Sequence, residues 1–166
     1  MKNLRQNALC VIGVISDTHG LLRSEAIEFL KNCNLIVHAG DFGHPDILKA
    51  LKDIAPTCAI RGNIDRGSWS QKMPEKDVVE VEGKFLFVIH NLDDLDLDPV
   101  AAGFDAVIFG HSHMPISYEK DGVLYFNPGS AGPRRFKLPV TIGRITIVDS
   151  GLKSEIIDLL NPTFNE

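Results

Sequence analysis

From Cys10 to Gly20 the chain runs CVIGVISDTHG. The first part of this stretch, CVIGVIS, is a continuous apolar run of strand length, the pattern of a strand covered on both faces in a parallel sheet. It runs straight into Asp17 and His19, and alternate positions of an extended segment project to the same side. The same grammar recurs downstream. SEAIEFLKN (24–32) predicts a helix with Ser24 as N-cap and Ala26, Phe29 and Leu30 on one face. LIVHAG (35–40) is a second short buried strand, and HPDILKALKDI (44–54) is a helix with Pro45 near its first turn and Ile47, Leu48 and Leu51 on one side. CAIRGN (58–63) gives a third strand. This β-α-β-α-β order predicts a parallel sheet with crossover helices.

The rest of the chain reads differently. DVVEVEGKFLFVIH (77–90) is a hairpin turning near Glu82-Gly83, DPVAAGF (98–104) a short helix, and DAVIFG (105–110) another strand. PISYEKDGVLYFNPGS (115–130) is a hairpin around Asp121-Gly122, and the segment from Val140 to Leu160 gives two more strands joined at Asp149-Ser150-Gly151. A parallel half followed by antiparallel hairpins predicts an α/β fold of two packed sheets with helices outside.

Composition narrows the function. With 166 residues, 44% hydrophobic and 23% charged, the chain suits one soluble domain, 1–166, with a substantial core. The formal net charge of −5 argues against long nucleic acid, which demands a concentrated basic face. Cys10, Cys33 and Cys58 are odd in number and show no CxxC spacing, which reads as reduced thiols of a cytoplasmic protein. The apolar run near the N-terminus is too short for a signal peptide or a membrane span, so no membrane partner is expected.

Each apolar strand ends in small residues plus acids, amides or imidazoles: SDTH, HAGD, RGNID, VIHN and FGHSH. Parallel strands bring their carboxyl ends to one edge, where ligands bind in open α/β sheets. Asp17, His19, Asp41, Asn63, His90, His111 and His113 therefore converge. Taken singly, Asp17 and Asp41 also suit caps, Asn63 a turn, and His90 a satisfied core histidine. Nitrogen and oxygen donors without thiolate suit Mn, Fe, Ni or Zn rather than a structural zinc site. Seven donors exceed the needs of one tetrahedral ion and fit two metals roughly 3.5 to 4 Å apart, an arrangement that activates water and clamps a phosphoryl group.

The pieces SDTHG (16–20), HAGD (38–41), RGNID (61–65), His90, GHSH (110–113) and NPGS (127–130) resemble the calcineurin-like metallophosphoesterases, in their small single-domain phosphodiesterase branch. The resemblance implies a four-layer αββα sandwich with a two-metal site at the sheet ends. It places Asp17, His19 and His113 on the first metal, Asn63, His90 and His111 on the second, and Asp41 between them. It implies two divalent ions, Mn foremost with Ni, Zn and Fe compatible, that activate a hydroxide for in-line attack on a small phosphodiester. Asp41, Asn63 and His90 carry the catalysis in that reading, and Asn63 with Arg134 would meet the substrate phosphate, although Arg134 also suits a solvated surface. The NPGS loop would order the GHSH turn through the backbone of its glycine and serine.

Two departures from the family pattern stand out. Ile64 occupies the place where many relatives carry a histidine that protonates the leaving group, and Asn91 follows His90 where glycine or histidine is usual. LDDLDLDP (92–99) is either an acidic lip against polyanionic substrates or a solvated turn. Other readings are a phosphatase or nuclease of the same chemistry, and a non-catalytic scaffold like the family's retromer subunit. Homo-oligomers are compatible with all of these. A scaffold tolerates broken ligand sets, whereas here all seven positions are filled, which favours the enzyme.

Overall fold

The computed structural model describes residues 8–161. Strand β1 (Ala8–Ile15), helix α1 (Ser24–Leu30), β2 (Leu35–His38), α2 (Pro45–Ile54) and β3 (Thr57–Ala59) follow one another in the expected order. The three strands pair in parallel, Ile12 against Leu35 and Val37 against Cys58. Helix α2 begins as its sequence suggests: Pro45 opens it, and His44 Nδ1 accepts the Asp46 N–H at 3.1 Å. Helix α1 corrects the capping assignment. Arg23 holds the N-cap position, and the Ser24 hydroxyl turns to Glu25 Oε2 instead.

After a short helix α3 (Ser68–Gln71) come β4 (Lys76–Val81), β5 (Lys84–Ile89), β6 (Ala106–Ile108), β7 (Ile116–Lys120), β8 (Val123–Asn127), β9 (Thr141–Val148) and β10 (Gly151–Asp158). The turns Glu82-Gly83 and Asp121-Gly122 have both residues at positive φ, the two-residue hairpin geometry that matches strand twist. Pairing gives two five-stranded sheets, β10-β9-β1-β2-β3 and β4-β5-β6-β8-β7. The division into a parallel half and an antiparallel half is thereby corrected. β5, β6 and β8 are parallel to one another, and the β9–β10 hairpin joins the first sheet against β1. β9 carries buried side chains on both faces, such as Ile142 and Ile145, so it needs a central place in a covered sheet.

Between the sheets lie Ile12, Val14 and Val37 on one side and Leu86, Val88, Ile108 and Phe126 on the other. Helices α1 and α2 press Ala26, Leu30, Ile47 and Leu51 onto the outer face of the first sheet. Over the second sheet the outer layer is thin: a 3₁₀ turn, Leu92–Asp94, and its following loop pack Leu92, Leu95, Leu97 and Phe104 on Phe87, Ile89 and Val107. The segment 98–104, expected as a helix, makes only isolated turn bonds such as Ala102 N–H to Asp98 O. Gly103 enters the left-handed region and stops the turn from propagating. This α/β sandwich of two sheets brings the ends of β1, β2, β3, β5, β6 and β8 to one rim. No helix among the described residues is long and apolar enough to cross a membrane.

Candidate functional site

The polar residues at this rim do not hang from strand ends by alternation. β1 stops at Ile15 and β6 at Ile108, and Asp17, His19, Asp41, His111 and His113 all take positive φ, between 45° and 71°. Such backbone costs about 1 kcal/mol or more per non-glycine residue, so neighbouring bonds must sustain it. They do. Asp17 N–H donates to Gly40 O at 3.0 Å, His19 N–H to Asp41 O at 3.1 Å, and Gly110 N–H to His90 O at 2.9 Å. Close contact also requires glycine at the rim: a Cβ on Gly62 would fall on Asp41 Oδ1, and one on Gly110 on Ser16 Oγ.

The side chains converge as the sequence implied, by a different backbone route. Asp17 Oδ1 lies 3.4 Å from His113 Nε2, 3.7 Å from His19 Nε2 and 3.9 Å from His90 Nε2. Asp41 Oδ2 lies 3.3 Å from His90 Nε2 and 3.7 Å from His19 Nε2. Asn63 Oδ1 is 3.0 Å from His90 Nε2 and 3.2 Å from His111 Nδ1. Thus all seven expected donors meet. Arg134 is exposed and forms no hydrogen bond or ion pair among the described residues.

Several residues outside the expected set hold the donors in place. Asp65 is buried, and its carboxylate accepts N–H bonds from Asp41, Gly62 and Gly43 at 2.9, 2.9 and 3.1 Å. The NPGS loop meets the GHSH turn through the Asn127 side chain, whose Nδ2 donates to Gly110 O and Ser112 Oγ, rather than through the backbone of its glycine and serine as expected. Ser130 Oγ donates to Asp17 O at 2.9 Å. His38 accepts the Gly40 N–H at Nδ1, and its Nε2 meets Thr18 Oγ1 at 3.1 Å, joining the two loops that carry Asp17, His19 and Asp41. The only sequence signals for these residues are their places inside the motifs HAGD, RGNID and NPGS.

The donor chemistry fits cations. His19 Nε2 and His113 Nε2 face each other at 3.2 Å, while Asp17 Oδ1 and His113 Nδ1 are buried without a hydrogen-bond partner among the described residues. Donor atoms of Asp17, His19 and His113, and those of Asp17, Asp41 and His90, lie within 4.8 Å of one another in each set. Burial opposes charge on Asp17, but the imidazoles of His113, His19 and His90 hold its carboxyl far below the usual range. Burial likewise opposes charge on Asp41, and His90 overcomes it; burial lowers His90, and Asp41 and Asp17 raise it on balance. His90 donates Nδ1–H to Ala39 O at 2.7 Å, which leaves the Nε2 lone pair for the centre. A cavity of about 270 Å³ opens beside Asn63, His90 and His111, with Arg61, Lys76 and Asn91 on its wall.

Residues 11–150 match the model of the calcineurin-like phosphoesterase superfamily domain. A probable metallophosphoesterase of Methanothermobacter thermautotrophicus is 33% identical over 159 residues, 89% of this chain and 91% of that one. A solved archaeal phosphodiesterase superposes with a TM-score of 0.74 at 26% identity, covering 89% of this chain and 99% of its own. Vacuolar protein sorting 29 from Cryptosporidium parvum superposes with a TM-score of 0.74 at 18% identity, over 90% and 97% of the two chains, a likeness of fold alone.

Proposed function

Since the chain belongs to the calcineurin-like phosphoesterase superfamily and is a metal-dependent phosphoric ester hydrolase, we propose that it is a phosphodiesterase of small diesters working with two divalent ions, Mn foremost. The observation that carries the two-ion reading is Asp41 Oδ2, one oxygen lying within 3.7 Å of an imidazole from each ligand group, His19 and His90. In this reading Asp17, His19 and His113 hold one ion, Asn63, His90 and His111 the other, and Asp41 serves both.

Two divalent ions in such a site supply activated water and neutralise charge that develops on the phosphoryl oxygens. The protein's part is positional. Asp41 Oδ1 accepts the Ile64 N–H at 3.1 Å, which fixes the carboxylate and leaves Oδ2 for the centre. Asn63 turns Oδ1 toward His90 and His111, which frees its Nδ2–H to donate to a phosphate oxygen of the substrate. Ile64, 38% exposed at the rim, offers no proton to a leaving oxygen, so good leaving groups are favoured. This weighs against efficient monoester hydrolysis, and the net charge of −5 against a nuclease of long chains. Three free cysteines support a cytoplasmic setting, and the family match over residues 11–150 supports one domain spanning 1–166.

The test is Asp41→Asn. Turnover of bis-p-nitrophenyl phosphate should fall by about 10²-fold or more, with loss of bound metal, because second-rank changes alone already cost 10- to 100-fold at metal sites. A variant that keeps two bound ions and a near-normal rate would overturn the shared-ligand assignment. Metal-replete protein that hydrolyses no phosphoric ester would favour the scaffold reading.

A further inference from the structure

We infer that the cavity beside Asn63, His90 and His111 receives the alcohol substituent of the diester, and that it selects a small hydroxyl-bearing alcohol without any further anionic group. The inference rests on the phosphodiesterase reading above and adds the substrate class.

Position comes first. The cavity shares Asn63, His90 and His111 with the candidate ligand set, so a phosphoryl group held by that set has a substituent at the cavity mouth. Size comes next. About 270 Å³ lies just under the usual range for ligand pockets, roughly 300 to 1,000 Å³, and suits a group of glycerol to pentose size. Ile89, 5% exposed, supplies an apolar patch for a carbon skeleton.

Charge then decides the class. Two cations line the cavity, yet each is matched by an acid of the protein: Arg61 Nη2 lies 3.0 Å from Glu75 Oε1, and Lys76 Nζ 3.4 Å from Asp96 Oδ1. Asp94 adds a carboxylate on the wall with no ion pair among the described residues. A second phosphate would compete with Glu75 and Asp96 for these cations and would face the carboxylate of Asp94. A hydroxyl would meet a donor, because Asn91 Oδ1 accepts the Asp93 N–H at 3.1 Å and its Nδ2–H pair has no partner among the described residues. Asn91 and the acidic run after it thus find a common role.

The experiment uses two p-nitrophenyl diesters that differ only beyond phosphorus, one carrying glycerol and one carrying glycerol phosphate. The metal-replete enzyme should prefer the glycerol ester by about tenfold or more in kcat/KM. Asp94→Lys should narrow that ratio about tenfold, the scale of two unit charges acting on a dianion through water-like dielectric, and Asp94→Asn by less. The ratio is the readout, so a general loss of activity cancels. A second readout needs no turnover. The Asn91 side-chain amide signal of ¹⁵N-labelled protein, assigned by its disappearance in Asn91→Ala, should shift on saturation with glycerol phosphate and not with inorganic phosphate. A ratio untouched by Asp94→Lys, or an Asn91 signal that ignores glycerol phosphate, overturns the pocket assignment while leaving the phosphodiesterase reading intact. Hydrolysis of neither diester by metal-replete protein overturns the phosphodiesterase reading itself.

Discussion

Asp65 grips the backbone of Asp41: its Oδ2 accepts the Asp41 N–H at 2.9 Å from a side chain only 7% exposed. The same carboxylate takes the Gly62 and Gly43 N–H groups, so one acid ties the loop after β2 to the loop after β3. Asp65→Ala would leave three N–H groups without their charged acceptor. It should destabilise the metal-free protein by about 2 to 4 kcal/mol and weaken metal binding about 10- to 100-fold. Urea unfolding and metal titration of the variant check both effects. Unchanged unfolding with unchanged affinity would remove Asp65 from the account.

Ile64 gives the second prediction. A general acid contributes on the order of 10²- to 10⁴-fold where the leaving oxygen needs a proton, as an alkoxide does and a nitrophenolate scarcely does. Ile64→His should therefore raise kcat/KM for an alkyl ester relative to an aryl ester, by about tenfold at least. Asp65 Oδ2 accepts two backbone N–H groups and Oδ1 one, so Oδ1 keeps an acceptor site through which Asp65 can steer the new imidazole. An alkyl-to-aryl ratio unchanged at full metal content would count against the missing-acid explanation.

His38 makes stability depend on pH. It is fully buried, stacked on Phe42 at 3.6 Å, and held neutral because Gly40 N–H occupies Nδ1; burial pushes its pKa down to about 3. The unfolded side chain titrates near 6.5, so between those values the unfolded chain binds a proton that the native protein lacks. Stability is then lost as pH falls below 6.5, by about 2 kcal/mol at pH 5. Asp17 and Asp41, whose folded pKa values are lowered, act near and below the ordinary carboxylate range near 4, whereas His90, whose folded pKa is raised, gains stability as pH falls and partly offsets His38. Urea midpoints of metal-free protein at pH 7 and pH 5 should differ, and in His38→Gln the difference should shrink. A pH dependence that His38→Gln leaves unchanged would contradict a buried neutral His38.

The two hairpin turns and the three parallel strands were legible because each depends on short-range chemistry: Gly83 and Gly122 take positive φ at no steric cost, and apolar runs of strand length demand burial. The left-handed backbone at His111 and His113 was not legible. Neither residue type favours it strongly; it is imposed by Asn127 and by the Asp17 carboxylate, which accepts the His111 N–H at 3.1 Å from far along the chain. The place of β9 and β10 was equally hidden. A hairpin carries no local mark of which sheet edge it joins, and pairing with β1 is decided by burial on both faces of β9.

A single titration separates a two-ion phosphodiesterase site from a one-ion or inactive one. Protein stripped by a chelator is titrated with Mn(II), and bound metal is counted while bis-p-nitrophenyl phosphate hydrolysis is followed. The expected result is no hydrolysis in the stripped protein, then two equivalents bound per chain with activity restored as the second site fills. Saturation at a single equivalent with full activity, or two bound equivalents without hydrolysis, would contradict the two-ion phosphodiesterase site.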